Sequence, residues 1–532
     1  FNIPFQREFF MSDVFVSAKL NVDLEVVTEN MSWTAWTRVW KGEAGIFQWA
    51  IARVDDPELW GPAFDYESRV RVLLNGRIAL EENEWRQGVD LPYEGGLASK
   101  IILDRWLNGD KNKIDDFNGS FSIIIIDEKS QKIHIWSDRF GFIPLYLYEK
   151  REVLFCSHPD ILSRALRCSG MSCEIDKTTI AEFLRTGSAI HPYSYWKEIN
   201  QCDPGTNYSL TVADNSINCS KRQYWGLQNY KGPYLSDRKE IVSKLTYALK
   251  SAIRKRTLPR LGKISVLLSS GADSRTILFG ACNPEKVLCH TLFDERNEEL
   301  LGSIALAELA NAEHKHHKRE VNYYFNHASE AIRISGGMWS IDSAHYGGLA
   351  TELKNAGVVL TGCYADYLLK GLAYSRTHVK IFGKNLPIYK LIKPETEFYQ
   401  PFSEINPSWE HKVSQRSREY FSSLDFDAEN TIAEREYLRL APLSREPDSS
   451  GRLFLGRTVG HDFFMADRDI LDLVASIHPK QKLNGIPFGM AVNNIVGKKA
   501  KHIKNNNYGT PVGSSELKRI FYFIAASLKR KL

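Results

Sequence analysis

Residues 264–279 read Ile-Ser-Val-Leu-Leu-Ser-Ser-Gly-Ala-Asp-Ser-Arg-Thr-Ile-Leu-Phe. An apolar run with β-branched residues ends in a small, hydroxyl-rich turn, and apolar residues at helical spacing follow. That order predicts a strand, a loop and a helix. The backbone N–H groups of Ser269, Ser270 and Gly271 onward to Ser274 should converge on an anion at the positive end of the helix. Ser269 and Ser274 can add hydroxyl donors, and Asp273 can hold the magnesium that phosphates require. No Gly-Lys-Ser/Thr closes the loop, so it is not a Walker loop. Read alone, a short Ser/Gly turn after a strand is also an ordinary connection. The Asp-Ser pair just after Gly271 favours the phosphate reading.

A second segment, 358–371, reads Val-Val-Leu-Thr-Gly-Cys-Tyr-Ala-Asp-Tyr-Leu-Leu-Lys-Gly. Leu-Ser-Ser-Gly-Ala-Asp-Ser resembles the pyrophosphate loop of the ATP pyrophosphatases, with Ser270 where a glycine usually stands. The second segment resembles the Gly-Glu-Gly-Ala-Asp-Glu-Leu-Phe-Gly-Gly element of the asparagine synthetase family. The resemblance implies ATP and Mg2+ as cofactors, with Asp273 and Asp366 as the two magnesium carboxylates. It also implies adenine contacts at Leu267 and Leu292, and closure around the nucleotide by Thr361 and Gly362.

Working outward, 532 residues suffice for two or more domains with their own cores. A net charge of +5 on a chain this long is too mild to imply nucleic acid. Eight cysteines without a C-x-x-C pair suggest neither a zinc site nor a disulfide framework, and Cys282 and Cys289 read as buried thiols. No apolar run approaches the roughly 20 residues that span a bilayer. The stretch from Phe1 does not read as a signal peptide, so a cytoplasmic enzyme is expected.

Short apolar or alternating runs at 70–74, 121–126, 132–136, 144–148 and 152–156 predict a β-rich first half, with helices near 98–108 and 177–186. From about residue 235, helical patterns alternate with apolar strands at 264–268, 287–292 and 357–360, which predicts a parallel α/β sheet. The turn-rich stretch 202–235 is the expected boundary. These readings give domains at 12–215 and 235–532, while 397–450 stays unassigned.

The first half also resembles the asparagine synthetase family, in its glutaminase domain. Asp116-Phe-Asn-Gly-Ser-Phe-Ser-Ile123 is similar to that family's Leu-x-Gly-x-Phe-Ala-Phe strand. Ser137-Asp-Arg-Phe-Gly-Phe-Ile-Pro-Leu-Tyr146 is similar to its hairpin, and Asn75-Gly76-Arg77 to its Asn-Gly-Glu. The likeness covers roughly 65–380, with a weaker echo at 461–483. It implies an N-terminal αββα Ntn-type glutaminase-like sandwich followed by an ATP pyrophosphatase parallel α/β domain, α+β then α/β.

The departures from that family matter most. Glutamine hydrolysis there uses an amino-terminal cysteine, and the first cysteine here is Cys156. Arg77 stands where the family's glutamine-binding Glu belongs, and the partner Asp is missing from Gly96-Leu-Ala-Ser-Lys100. A glutaminase fold without its reaction is expected. In the second motif, Cys363 and Tyr364 replace Glu and Gly, and Tyr367 replaces the later Glu. Cys363 reads either as a packing residue or as a group beside an acyl-adenylate. Tyr364 reads either as a structural tyrosine or as a group positioning an amine. Lys504, with Lys501 next, is expected to face the adenylate, the alternative being a solvated basic loop. The tract His314-Lys-His-His-Lys318 is expected at a helix-to-strand corner, and the basic amphipathic tail 517–532 as a helix docked by its apolar face.

The resulting expectation is an ATP-dependent carbon–nitrogen ligase that adenylates a small-molecule or peptide carboxylate. It would close an amide without glutamine, as lasso peptide cyclases and β-lactam synthetases do, with a precursor peptide and its protease as candidate partners. An amidotransferase using free ammonia on aspartate or a sugar carboxylate, and a non-catalytic relic, are the alternatives.

Overall fold

The computed structural model describes residues 13–33, 35–110, 112–213, 216–230, 232–336, 341–381, 383–392, 407–423, 441–446, 449–505 and 510–529. Ile123 to Ile126 are apolar without a break because both faces of their strand are covered. Gly119–Asp127 lies in a seven-stranded antiparallel sheet. Its order is Ser216–Gln223, Thr206–Ala213, Lys132–Ser137, Gly119–Asp127, Val70–Ile78, Ala63–Asp65 and Glu94–Gly95. A six-stranded antiparallel sheet is ordered Asn200–Gln201, Tyr146–Glu149, Val153–Cys156, Asp13–Ala18, Phe47–Arg53 and Arg38–Ala44.

Between the two sheets, Ile124 and Ile126 pack with Val14, Val16, Leu73 and Phe155. Ile123 and Ile125 turn the other way, into a core shared with Ala98, Ile102 and Leu103 of helix Leu97–Leu107. On the far side, Phe15 and Leu154 share a core with Val27, Met31, Ile161 and Leu162 of helices Leu24–Met31 and Pro159–Cys168. The first half is thus a four-layer αββα sandwich.

The second half holds a five-stranded parallel sheet ordered Glu313–Lys318, Leu288–Phe293, Ile264–Leu267, Val358–Thr361 and His461–Phe463. The chain steps outward from Ile264–Leu267 one way for two strands, then reverses. The reversal falls between Ile264–Leu267 and Val358–Thr361. Open parallel sheets take ligands in the crevice at the carboxyl ends of such a pair. Ile241, Leu249, Ile277 and Val492, from three helices, share the core of Val266 and Leu360, while Leu349, Leu455 and Val459 join Val359.

Several local expectations need correction. The histidine tract is no corner: Glu313–Lys318 is a strand at the edge of the sheet, where polar side chains are tolerated. Cys289 is buried, but Cys282, after the end of helix Ala272–Gly280, is exposed. Helix Glu516–Lys529 exists, yet Leu517, Phe521 and Ile524 on one side of it are 80%, 69% and 50% exposed, so that face is not buried against the described residues. Within 397–450, a helix spans Pro407–Ser423, and the rest lies outside the described residues apart from 441–446 and 449–450. Among the described residues no helix is long and apolar enough to cross a membrane.

The two halves are joined by buried arginines. Arg77, 2% exposed, donates to Asp55 and, from Nη2 at 2.7 Å, to the carbonyl of Gly357 in the second half. Arg53 holds the same carboxylate at 2.9 and 2.7 Å and the carbonyls of Leu74 and Gly76. Burial works against a charged Asp55, but the two guanidinium groups keep its carboxyl below the usual value. Gly460 must be glycine here, since a Cβ would stand 2.1 Å from the Arg77 Nη2 that these bonds fix. Arg452 and Arg457 cross the same boundary to the carbonyls of Phe142 and Ser157.

Removing one partner from a buried ion pair leaves the other charge uncompensated, a loss of about 3 kcal/mol. Arg77→Ala should therefore lower the unfolding free energy by about that amount in urea titration, and an unchanged midpoint would show that the latch carries no stability.

A second expectation concerns acid. Burial first, then neighbouring cationic groups, lower His290 to about 3 and His314 to about 4, and His317 is lowered as well. The unfolded chain protonates these rings near their ordinary pKa of about 6.5, before the folded chain does. Stability should therefore fall as pH drops from about 6.5 toward 4. Melting temperature followed across that window should decline in the wild type and decline less in His314→Gln, whose amide can still meet Thr291. Parallel slopes would assign the acid lability elsewhere.

Candidate active site

The reversal in strand order brings two loops together over one cleft. The first loop leaves Ile264–Leu267 and enters helix Ala272–Gly280, whose amino end carries no side-chain cap. Its first N–H groups are therefore available to an anion. The loop is braced from within. Ser269 N donates to Ser274 Oγ at 3.0 Å, Ser274 Oγ to the Ser269 carbonyl at 3.0 Å, and Gly271 N to Ser269 Oγ at 3.1 Å. The two hydroxyls expected to meet phosphate thus hold the turn in shape.

The second loop leaves Val358–Thr361 and enters the short helix Ala365–Leu369. Gly362 allows the loops to approach, because a Cβ there would lie 2.3 Å from the Asp273 Cβ. Asp273 and Asp366 stand in the first turns of the two helices. The carboxylates are not free of one another. Lys370 Nζ lies 2.8 Å from Asp273 Oδ2 and 2.8 Å from Asp366 Oδ1. Burial first, and the charge of Asp366, push the Asp273 carboxyl above its ordinary value, while Lys370 opposes both.

These groups fit a divalent cation arriving with phosphate. Asp273 Oδ1 is buried without a hydrogen-bond partner among the described residues, and Asp366 is 55% exposed. Both are hard oxygen donors, and magnesium is commonly held by one or two carboxylates plus substrate phosphates. Among the described residues, no group of three or more His, Cys, Asp or Glu side chains makes a metal cage. That includes the histidine tract.

The cleft encloses ≈ 570 Å³, within the range of small-molecule sites. Leu267, Ser269, Asp273, Ser274, Leu292, Thr361, Gly362, Cys363, Tyr364 and Asp366 line it together. Ser270 and Gly271 are not on its wall: Ser270 is buried, and its carbonyl accepts from Arg275. Cys363 is half-buried, its sulfur accepting from Thr361 Oγ1 at 3.0 Å.

The candidate lysines lie off the cleft wall, and Tyr364 lies on it with its hydroxyl already bonded. Lys504 is exposed at the start of the two-residue strand Lys504–Asn505, Lys501 is half-buried, and neither lines the cleft. A solvated lysine has little to anchor it, whereas Lys370 is fixed by two carboxylates. Tyr364 is 5% exposed, and its hydroxyl is engaged by Ser449 at 2.7 Å and by Arg452 Nε at 2.7 Å. Its ring packs on Phe142 and Phe463. Its backbone is left-handed at φ 70°, at the position where the resembled motif has glycine. That conformation costs an ordinary residue roughly 1–2 kcal/mol. The hydrogen bonds and ring packing offset the strain.

Sequence reading missed Lys370, although its i, i+4 spacing from Asp366 was a signal. It also missed the far wall, where Arg319 is bonded to Asp294 at 2.8 Å and to Tyr324 at 2.9 Å.

Comparison with known proteins agrees with part of this arrangement. Residues 64–225 match a family described as a glutamine amidotransferase domain. The chain is 24% identical over 194 residues to the glutamine-hydrolyzing asparagine synthetase 3 of Bacillus subtilis, an alignment covering 35% of this chain and 29% of that protein. Among solved structures, the allosteric regulatory enzyme of purine biosynthesis overlaps 57% of this chain and 80% of its own at 8% identity and TM-score 0.27. The NH3-dependent NAD synthetase of Campylobacter jejuni overlaps 26% of this chain and 62% of its own at 16% identity and TM-score 0.18. The αββα sandwich rests on its own sheet order together with the match over 64–225, and the first half is Ntn amidotransferase-like in fold.

Proposed function

We propose that the protein is an ATP-dependent, AMP- and pyrophosphate-forming amide ligase that activates a carboxylate and joins it to an amine without hydrolysing glutamine. The observation that carries this reading is the pair Asp273 and Asp366, delivered by adjacent strands at the point where the sheet reverses, beside an uncapped helix amino terminus. Magnesium, bound with ATP, supplies positive charge to the phosphate oxygens. The protein's share is positioning. Leu267 and Leu292 flank the adenine, Thr361 and Gly362 close around the nucleotide, and the first turn of helix Ala272–Gly280 meets the β- and γ-phosphates. A carboxylate oxygen attacks the α-phosphorus, pyrophosphate leaves, and an amine then displaces AMP to form the amide. Preorganised donors at the departing charge are the main source of acceleration in such a step.

The state of the first half argues for an amine other than glutamine-derived ammonia. Beside Asn75 and Arg77 the cavity amounts to only ≈ 30 Å³, walled by Arg53, Asp55, Arg452 and Arg457. That volume is on the scale of a water. Arg77, at the position of the resembled family's glutamine-binding Glu, is committed to Asp55 and Gly357. An amine carried by the substrate itself suits this arrangement, as in lasso peptide macrocyclisation or β-lactam-synthetase-like ring closure. A precursor peptide and its protease would then be natural partners. The identity to an asparagine synthetase favours one second reading, amidation of aspartate or a related carboxylate by free ammonia.

With its carboxylate, the protein should exchange labelled pyrophosphate into ATP, and Asp273→Ala or Asp366→Ala should depress exchange by at least about a hundredfold. Lys504→Ala, on an exposed side chain, should change it by no more than about threefold. Full exchange in both aspartate variants would remove the cleft from the reaction. Glutamate release from glutamine should not exceed a heat-killed control, with or without ATP. Ammonium-dependent AMP formation on aspartate would select the second reading.

A further inference from the structure

Two carboxylates converging on one point repel unless a cation sits between them, and in this protein the cation is Lys370. Its ammonium is 2.8 Å from each carboxylate, and its side chain is only 15% exposed. The stem is held in place: Nζ lies 5.5 Å from the centre of the Phe488 ring, and a Cβ on Gly485 would come within 2.9 Å of the Lys370 Cγ. Gly485 is left-handed at φ 62°, so the chain both makes and keeps room for this lysine. The two partners differ. Asp273 is 19% exposed and keeps one buried oxygen unpaired, whereas Asp366 is 55% exposed and can rehydrate if released. The ammonium therefore occupies the place a cation shared by both carboxylates would take, and it has one partner that is readily given up.

We propose that Lys370 is the resident counter-cation of the carboxylate clamp: it excludes a free divalent ion from the nucleotide-free protein, and it moves from Asp366 to the phosphate oxygens when the metal arrives already bound to a polyphosphate. The proposal rests on the ligase reading for the identity of that polyphosphate, and it makes Lys370 a positioning residue for the carboxylates and a charge donor to pyrophosphate. Metal and nucleotide then enter together, because only the pair brings the negative charge that draws the ammonium away.

The test uses the full chain and Mn2+ as probe, followed by calorimetry and by the electron paramagnetic resonance of free Mn2+, with and without inorganic pyrophosphate. Without pyrophosphate, Lys370→Met should bind Mn2+ at least about tenfold more tightly than the wild type, because a fixed positive charge has been removed from between two carboxylates. Adding Asp366→Asn to that variant should abolish the gain. With pyrophosphate the order should reverse, the wild type now holding Mn2+-pyrophosphate more tightly than Lys370→Met. A lysine that merely supports the fold would weaken both forms of binding alike. Equal Mn2+ affinity in wild type and Lys370→Met without pyrophosphate overturns the proposal, as does a gain that survives Asp366→Asn. Thermal melting accompanies each variant. If Lys370→Met does not fold, the wild type alone still decides: Mn2+ bound as tightly without pyrophosphate as with it would defeat the exclusion. A wild type with this crossover but no pyrophosphate exchange would sink the ligase reading and leave the role of Lys370 standing.

Discussion

A guanidinium group removed from bulk water must recover its hydrogen bonds where it is buried. Arg53, Arg77, Arg452 and Arg457 are all at most 4% exposed, and each finds backbone carbonyls or a carboxylate. Such groups are satisfied only at one relative placement of the sandwich and the parallel sheet. The apolar core is continuous with them: Phe142 of the first half and Phe463 of the second meet at 4.9 Å between ring centres. The cleft at the reversal of strand order is thereby built against a fixed wall.

The charged groups of the two halves are arranged differently. Around Asn75 and Arg77, two guanidinium groups, Arg53 and Arg77, face inward onto the one carboxylate of Asp55. Around Asp273 and Asp366, charges are kept in excess, with a buried oxygen left unpaired. A folded chain holds an unsatisfied acceptor of that kind at a cost, and the cost is reasonable where a ligand is to supply the missing partner.

Much of this could be read from residues, and the limits follow a physical line. The strands Ile264–Leu267, Leu288–Phe293 and Val358–Thr361 were legible because buried central strands are rich in apolar residues. Glu313–Lys318 was not, since an edge strand can be Glu-His-Lys-His-His-Lys and still pair. Arg77 could be recognised as a change of charge, but its new partner Gly357 lies 280 residues away and no local pattern reports it. Lys370 announced half of its role through its spacing from Asp366, and concealed the half involving Asp273. Lys504 looked favourable by position and turned out exposed. The side of helix Glu516–Lys529 carrying Leu517 and Phe521 had an amphipathic pattern whose partner the pattern could not name.

The left-handed Tyr364 ties these threads into a constraint on ancestry and engineering. Its backbone shapes the rim of the cleft, while its ring and hydroxyl belong to a cluster that includes Phe142 and Arg452. A chimera that joined this parallel-sheet half to the sandwich of a relative would inherit the strained turn without the side chains that compensate it. Grafting glycine at 364 would relax the turn but leave a ring-sized hole at the seam. The two halves are therefore not interchangeable modules: side chains of the sandwich serve as the mould for a loop in its neighbour.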